Sequence, residues 1–358
     1  FFFFSRRKRR SPPFYKEPPL IKARRMAQSF LSPKLALIAA LMFLTACAER
    51  AEVVMVPQVA GASVHEVLFA PNRAPNARLF GNTRSATTSY GTARVSVPPA
   101  HEKGVVEYPT STANPKTEFG ILSAKTTQSA ASFDTVLAQR VAARAKGNRR
   151  AVVYVHGYNN TFAEALYMNT QIIHDYQSPD IPVLFSWPSA GDNLGYLQDA
   201  GSVMYSRSAL EALLDQLNAS GVESFVIIGH SIGSQLVMEA LRQHAIRNHG
   251  QTWSKLDGVL LVSPDIDVDN FEQQRKDMGG LPQPFVVVGS GKDRLLKISG
   301  VINGGEARLG TIEDTEVLGN DDATVVSASF ATHMLSTNHT TAFTSPAMMA
   351  LLQGYYQD

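Results

Sequence analysis

The stretch Ser224–Leu241, SFVIIGHSIGSQLVMEAL, constrains this chain more than any other. Its apolar run Phe225–Ile228 predicts a buried strand. Gly229-His230-Ser231-Ile232-Gly233 follows, and then apolar residues return at helical spacing. Strand, G-x-S-x-G, helix is the pattern of a nucleophile elbow, a strained turn that lifts a serine Oγ clear of a sheet. Glycines at 229 and 233 let strand and helix approach closely. Ser231 is therefore the candidate nucleophile.

The flanking chain fits such a turn. Buried strands are expected at Ala151–Val155, Ile181–Phe185, Val259–Val262, Phe285–Val288 and Thr324–Ala328. Helices are expected at Ser132–Lys146, Thr161–Tyr176, Val203–Leu217, Ser234–His249, near Val268–Asp277 and at Pro346–Tyr355. Thr161 with Glu164 three residues on has capping-box spacing. Continuous Val/Ile/Leu runs suit a parallel sheet covered on both faces. Their alternation with helices predicts a doubly wound α/β sheet whose ligands sit at the carboxyl ends of the strands. Ahead of it, Ser63–Phe69, Ala93–Val97 and Gly104–Tyr108 are candidate antiparallel strands, with Asn72–Tyr90 a long loop or hairpin.

A serine needs a base to take its proton, an acid to orient that base, and donors for the oxyanion. On an α/β-hydrolase sheet these follow in the order Ser, Asp or Glu, His. Of nine histidines, only His333 and His339 lie beyond the last strand candidate. His339, in STNHTTAF before the closing helix, is preferred. Asp293 follows the strand Phe285–Val288 and is the preferred acid, with Asp265 and Asp267 of SPDID as rivals. Capping the helix near Val268 is the simpler role for those two. The oxyanion donors expected are the backbone N–H groups of Ile232 and of Tyr158, in the loop His156-Gly157-Tyr158-Asn159-Asn160. Trp187 either walls an acyl pocket or belongs to the core. His244 and His249 are expected on a solvated helix face. No His/Asp cluster has ligand spacing along the chain, so neither metal nor cofactor is expected.

Composition matters chiefly at the N-terminus. Ten of the 33 Lys/Arg and one of the 31 Asp/Glu fall in residues 1–46, leaving residues 47–358 with 23 basic and 30 acidic side chains. An acidic body argues against nucleic acid as a partner. Residues 1–25 read as a basic extension foreign to the native protein, with Met26 as the start. Lys34, the apolar stretch Leu35–Leu44 and Leu44-Thr45-Ala46-Cys47 then read as a signal peptide over residues 26–46, too short to span a bilayer. The ending resembles the lipobox of bacterial lipoproteins, which implies a lipidated Cys47 and a periplasm-facing, membrane-anchored protein. Ala48 after it implies the outer membrane. Residues 47–60 read as a linker and 61–358 as the domain. Cys47 is the only cysteine, so no disulfide supports the fold.

VYVHGYNNTFAEAL, FSWPSAGDNLGYLQDAGSVMYS, IIGHSIGSQLVMEALR and LVSPDIDVDNF together resemble a bacterial α/β-hydrolase family of unknown substrate, over about residues 66–350. NTRSATTSYGTARVSVPPAHEKG is similar to that family's N-terminal stretch. The resemblance implies a serine-hydrolase fold and ester hydrolysis, with Ser231, Asp293 and His339 as nucleophile, acid and base. Relatives often carry Met where this elbow has Ile232, a swap that keeps the backbone donor. The expected substrate is a small ester or lipid-like molecule. Thioesterase, acyltransferase or peptidase chemistry on the same residues is the alternative. A catalytically inactive envelope scaffold is the alternative of another class.

Overall fold

In the computed structural model, residues 49–313, 322–331 and 338–357 are described. Eleven strands are found among them: β1 (Ser63–Pro71), β2 (Arg73–Asn76), β3 (Leu79–Arg84), β4 (Tyr90–Val97), β5 (Gly120–Thr127), β6 (Ala151–Val155), β7 (Ile181–Ser186), β8 (Phe225–His230), β9 (Leu256–Val262), β10 (Phe285–Gly289) and β11 (Thr324–Ser327). Their helices are α1 (Ala130–Ala142), α2 (Phe162–Asp175), α3 (Tyr196–Ala219), α4 (Ile232–Arg247), α5 (Val268–Met278), α6 (Arg294–Ile302), α7 (Thr341–Thr344) and α8 (Pro346–Gln357).

Nine strands make one sheet in the order β11-β10-β9-β8-β6-β7-β1-β4-β5, and β2 and β3 form a separate hairpin. The strands from β1 to β11 in that order run parallel, and β4 is antiparallel to its neighbours β1 and β5. This is the doubly wound sheet with an antiparallel edge that the sequence predicts. Side chains alternate across it. Ala151, Val153 and Val155 of β6 enter one core with α3 and α4, while Val152 and Tyr154 enter the other with α2. All five are buried, as a strand covered on both faces requires.

Three details differ from the sequence expectation. Gly104–Tyr108 is irregular, because the free edge of β4 is taken by β5 instead. Strand β5 is an edge strand with exposed Lys125 and Thr126, so it carries little of the apolar signal that marks its neighbours. Helix α6 is not expected from the sequence, since four of its five apolar side chains, Leu295, Ile298, Val301 and Ile302, are exposed and Leu296 alone is buried. The capping box of α2 is present: Thr161 accepts from Glu164 N–H, and the Glu164 carboxylate returns to Thr161 N–H. The stretch read as a linker is packed on the domain from residue 49 onward. Ala51 and Val56 are buried, and Val56 N–H donates to Ile121 O at 2.9 Å. Among the described residues no helix is long and apolar enough to cross a membrane.

Candidate active site

Strands β6, β8, β9 and β10 present their carboxyl ends side by side. Ser231 stands between β8 and α4 with φ 55° and ψ −129°, a backbone that a serine adopts only when its surroundings hold it there. Three backbone bonds do so. Ser231 N–H donates to Val262 O at 2.9 Å, and Ser231 O accepts from Ser234 at 3.0 Å and Asp265 at 3.1 Å. The glycines explain the rest of the spelling. A Cβ on Gly233 would lie 2.2 Å from His156 O, and one on Gly157 would lie 2.9 Å from Ser231 Cβ. Strand ends and helix could not close to these distances around any other residue. Ser231 is buried, and among the described residues no hydrogen bond joins its Oγ to His339 or to another partner.

Asp293 and His339 come from elements 46 positions apart and meet at 2.8 Å, His339 Nδ1 to Asp293 Oδ2. Asp293 is fully buried and also caps α6, its Oδ1 accepting from Leu295 N–H at 3.0 Å and Leu296 N–H at 3.1 Å. Binding at a helix N-terminus favours a carboxylate anion. An imidazole that donates Nδ1–H to a carboxylate presents Nε2 as a proton acceptor. His339 follows Asn338, whose φ of 61° turns the loop. Its ring lies 5.0 Å from that of His230, the residue before Ser231, and His230 in turn meets Phe343 of α7 at 5.4 Å. The loop that carries His339 is thus docked on the elbow. Burial, then the adjacent His339, holds His230 neutral, with its pKa lowered to about 3. Among the described residues, His230 Nε2 is buried without a hydrogen-bond partner. His333 lies outside the described residues.

The rival acids have other occupations. Asp267 caps α5, accepting from Asn270 N–H at 3.0 Å. Asp265 is buried beside the elbow and accepts from Ser299 Oγ at 2.7 Å and from Tyr196 OH at 3.0 Å. Arg308, also buried, stands 3.3 Å from it as an ion pair outside hydrogen-bonding angle. On the two elements that meet at Asp265, Leu194 and Leu197 flank Tyr196 in sequence and Val301 and Ile302 end α6, and all four are well exposed. Tyr196 joins the two elements through Ser299 and Asn303, each at 3.0 Å.

The loop after β6 is fixed by a residue that sequence reasoning passed over. Arg73 is fully buried at the start of β2. It donates to Ser186 Oγ at 2.8 Å, Asn160 O at 2.8 Å, Asn82 Oδ1 at 3.1 Å and Ser189 O at 3.3 Å, and reaches His156 Nε2 at 3.2 Å. One guanidinium so ties the His156–Asn160 loop to the loop after β7. Burial lowers its pKa to about 9 against the raising effect of Asp199 and Glu164. Asp199 secures the same two loops from the other side, accepting from Ser189 Oγ at 2.6 Å, Ala190 N–H at 2.6 Å and Asn159 N–H at 3.2 Å. No sequence signal could have singled out Arg73 within a polar hairpin. Trp187 belongs to the core: it is fully buried, stacks on His156 at 4.9 Å and donates Nε1–H to His156 O at 2.7 Å. Tyr158 is half-buried and donates its hydroxyl to Asp192 O at 3.0 Å. His249 is exposed as expected, but His244 is not on a solvated face; it stacks on Trp253 at 3.8 Å.

A mostly parallel sheet with a serine elbow at its centre defines an α/β-hydrolase. The model of one family, described as alpha/beta hydrolase of unknown function (DUF900), matches residues 129–354, and the chain belongs to that family. No curated protein matches it. Similar solved structures include a candidate hydrolase from Agrobacterium vitis S4, at 10% identity and a TM-score of 0.37 over 83% of this chain and 98% of that one. Carboxyl esterase 2 from Tuber melanosporum is similar at 11% identity and a TM-score of 0.35, covering 90% of this chain and 96% of the other. A candidate cell surface hydrolase from Lactobacillus plantarum WCFS1 is similar at 10% identity and a TM-score of 0.36, over 58% and 90%. Likeness at this level carries no argument about substrate.

Proposed function

We propose that this hydrolase is a serine enzyme that cleaves carboxylic esters through an acyl-enzyme. The observation that carries the reading is the coincidence of a strained Ser231 with a buried Asp293–His339 pair docked on the residue before it. His339 Nε2 takes the Ser231 proton as Oγ attacks the ester carbonyl. The N–H groups of Ile232 and Tyr158 receive the oxyanion. Collapse expels the alcohol, which leaves with the proton from His339. Water, deprotonated by the same imidazole, then attacks the acyl group and frees the acid and Ser231. Asp293 holds the ring in the required tautomer throughout.

The exposed Leu194 and Leu197 beside Tyr196, and Val301 and Ile302 at the end of α6, favour an ester with an apolar, lipid-like part. Such a substrate agrees with a chain tethered through a lipidated Cys47 and facing the periplasm from the outer membrane. Labelling with a radioactive fatty acid in cells, lost in Cys47→Ala, tests the tether. A fluorophosphonate probe tests the chemistry. It should label the wild type and spare Ser231→Ala; label retained by that variant sinks the proposal. A panel of p-nitrophenyl esters of rising chain length, beside acyl-CoA and peptide substrates, then separates esterase from thioesterase and peptidase.

A further inference from the structure

At the opposite, amino end of the parallel strands, the fold assembles a group that no spacing along the chain reveals. Strand β4 ends at Val97, paired with Ser63 at the start of β1, so the loop after it lies at the amino ends of the parallel strands. His101 of that loop meets Asp175, the last residue of α2 and 74 positions away, at 2.9 Å between Nε2 and Oδ1. His174 adds a second imidazole, its ring centroid 5.2 Å from that of His101. One ligand atom from each of His101, His174 and Asp175 lies within 4.8 Å of the other two.

We infer that His101, His174 and Asp175 form a divalent-cation site of zinc type, separate from the Ser231 centre. Two imidazoles and a carboxylate are the donors that zinc takes, with water completing a tetrahedron. The surroundings match what a metal ligand needs. His101 Nδ1 is bonded to Glu107 Oε2 at 2.8 Å, the outer carboxylate that turns Nε2 toward a cation. Asp175 keeps Oδ1 toward His101 while Oδ2 accepts from Gly104 N–H at 2.7 Å and from the Gln171 amide. The His174 ring is held by His65, Nε2 to Nδ1 at 3.1 Å. Each ligand is therefore oriented by a partner of its own. The His101 side chain is 7% exposed and that of Asp175 is 2%, with Phe119 edge-on to His101, while His174 is half-buried.

The site would fasten the loop after β4 to the end of α2. That junction also supports α7: Gln171 donates to Phe343 O at 3.0 Å, and Tyr176 OH to Ala342 O at 2.7 Å. A cation here would steady the segment that follows His339 without touching substrate.

The test uses the full, tag-free chain, stripped with a chelator and dialysed against micromolar Zn²⁺. Mass spectrometry of the metal should find about one zinc per chain, and Co²⁺ in its place should give the visible absorption of a tetrahedral site. Zinc should raise the thermal midpoint of the wild type and leave that of His174→Ala unmoved. Asp175→Asn should lose the metal, and Glu107→Gln should keep it with about 10- to 100-fold weaker affinity. Circular dichroism checks that each variant folds, and Glu107→Gln, which keeps all three ligands, decides the matter if the others do not. A wild-type chain that retains no zinc overturns the inference and leaves His101 as a proton-bearing bridge between Glu107 and Asp175. So does zinc retained unchanged across the variants. Because metal content is read apart from turnover, neither result bears on the Ser231 proposal.

Discussion

Asp293 divides its carboxylate between two partners. Oδ1 caps α6 through Leu295 and Leu296, and Oδ2 holds His339 Nδ1 at 2.8 Å. The two duties separate in a mutant. Asparagine is as good an N-cap as aspartate, but its amide cannot impose the same imidazole tautomer. Asp293→Asn should lower ester kcat by about 10⁴-fold with a small change in thermal midpoint. Asp293→Ala should lower kcat as far and cost about 1 kcal/mol more from the lost cap. Steady-state kinetics beside thermal melts of both variants measure the split.

Gly157 is a second point where the proposed chemistry can be tested through shape. Its missing side chain leaves room for Ser231, whose Cβ would lie only 2.9 Å from an added methyl. Gly157→Ala must push the His156–Asn160 loop away from the elbow, taking Tyr158 N–H with it. The expected loss is about 10²- to 10³-fold in kcat, the effect of one misplaced oxyanion donor. KM should change much less, because an oxyanion donor of the kind proposed acts on the transition state. Initial rates over a range of ester concentrations give both constants.

What was legible in the sequence follows from range. The elbow, the α2 capping box and the buried strands are local patterns, and each stands where its residues predict. Asp293 and His339 could be shortlisted because chain order on this fold is fixed, although their contact is not local. Arg73 was illegible, since a buried guanidinium is recognised by partners drawn from three separate stretches. His101 was hidden for the same reason, with Asp175 74 positions away. His244 misled because helical spacing gave no sign that Trp253, from the following loop, would cover it. Periodicity reports a residue's neighbours on its own element and is silent about those on another.

Acid should destabilise the fold through histidines that burial keeps neutral, His156 and His230 the most deeply buried of them. His230 has its pKa lowered to about 3, by burial and then by His339. His156 is lowered well below 6.5, by burial and then by Arg73. Below pH 6.5 the unfolded chain takes up these protons and the folded chain does not, so stability falls as pH falls. Their contribution is fully present above 6.5. For His230 it is lost progressively between 6.5 and about 3, at up to about 1.4 kcal/mol per pH unit. His230→Asn removes one such proton, so its stability should fall less steeply from pH 6.5 to 4.5, whatever its value at pH 7. Urea denaturation at a series of pH values yields the slope, and an unchanged slope would show that other groups carry the acid sensitivity.

Arg73 and Asp199 should prove coupled. Both are buried, and between them they fix the loops after β6 and β7 through Ser189, Asn159 and Asn160. Removing one charge leaves the other in a low-dielectric interior with part of its compensation gone. Arg73→Met alone should cost about 3–5 kcal/mol, and Asp199→Leu a similar amount. The double variant should cost less than the two single losses combined, because no unpaired charge remains. Arg73→Lys should recover only part of the loss. An ammonium has three donors on one atom and cannot span Ser186, Asn82, Ser189 and Asn160 at once. The same loops position Tyr158 N–H, so ester kcat should fall in Arg73→Lys even where the fold survives. Denaturant midpoints for the four variants test the coupling. Strictly additive losses would show that the two charges act independently.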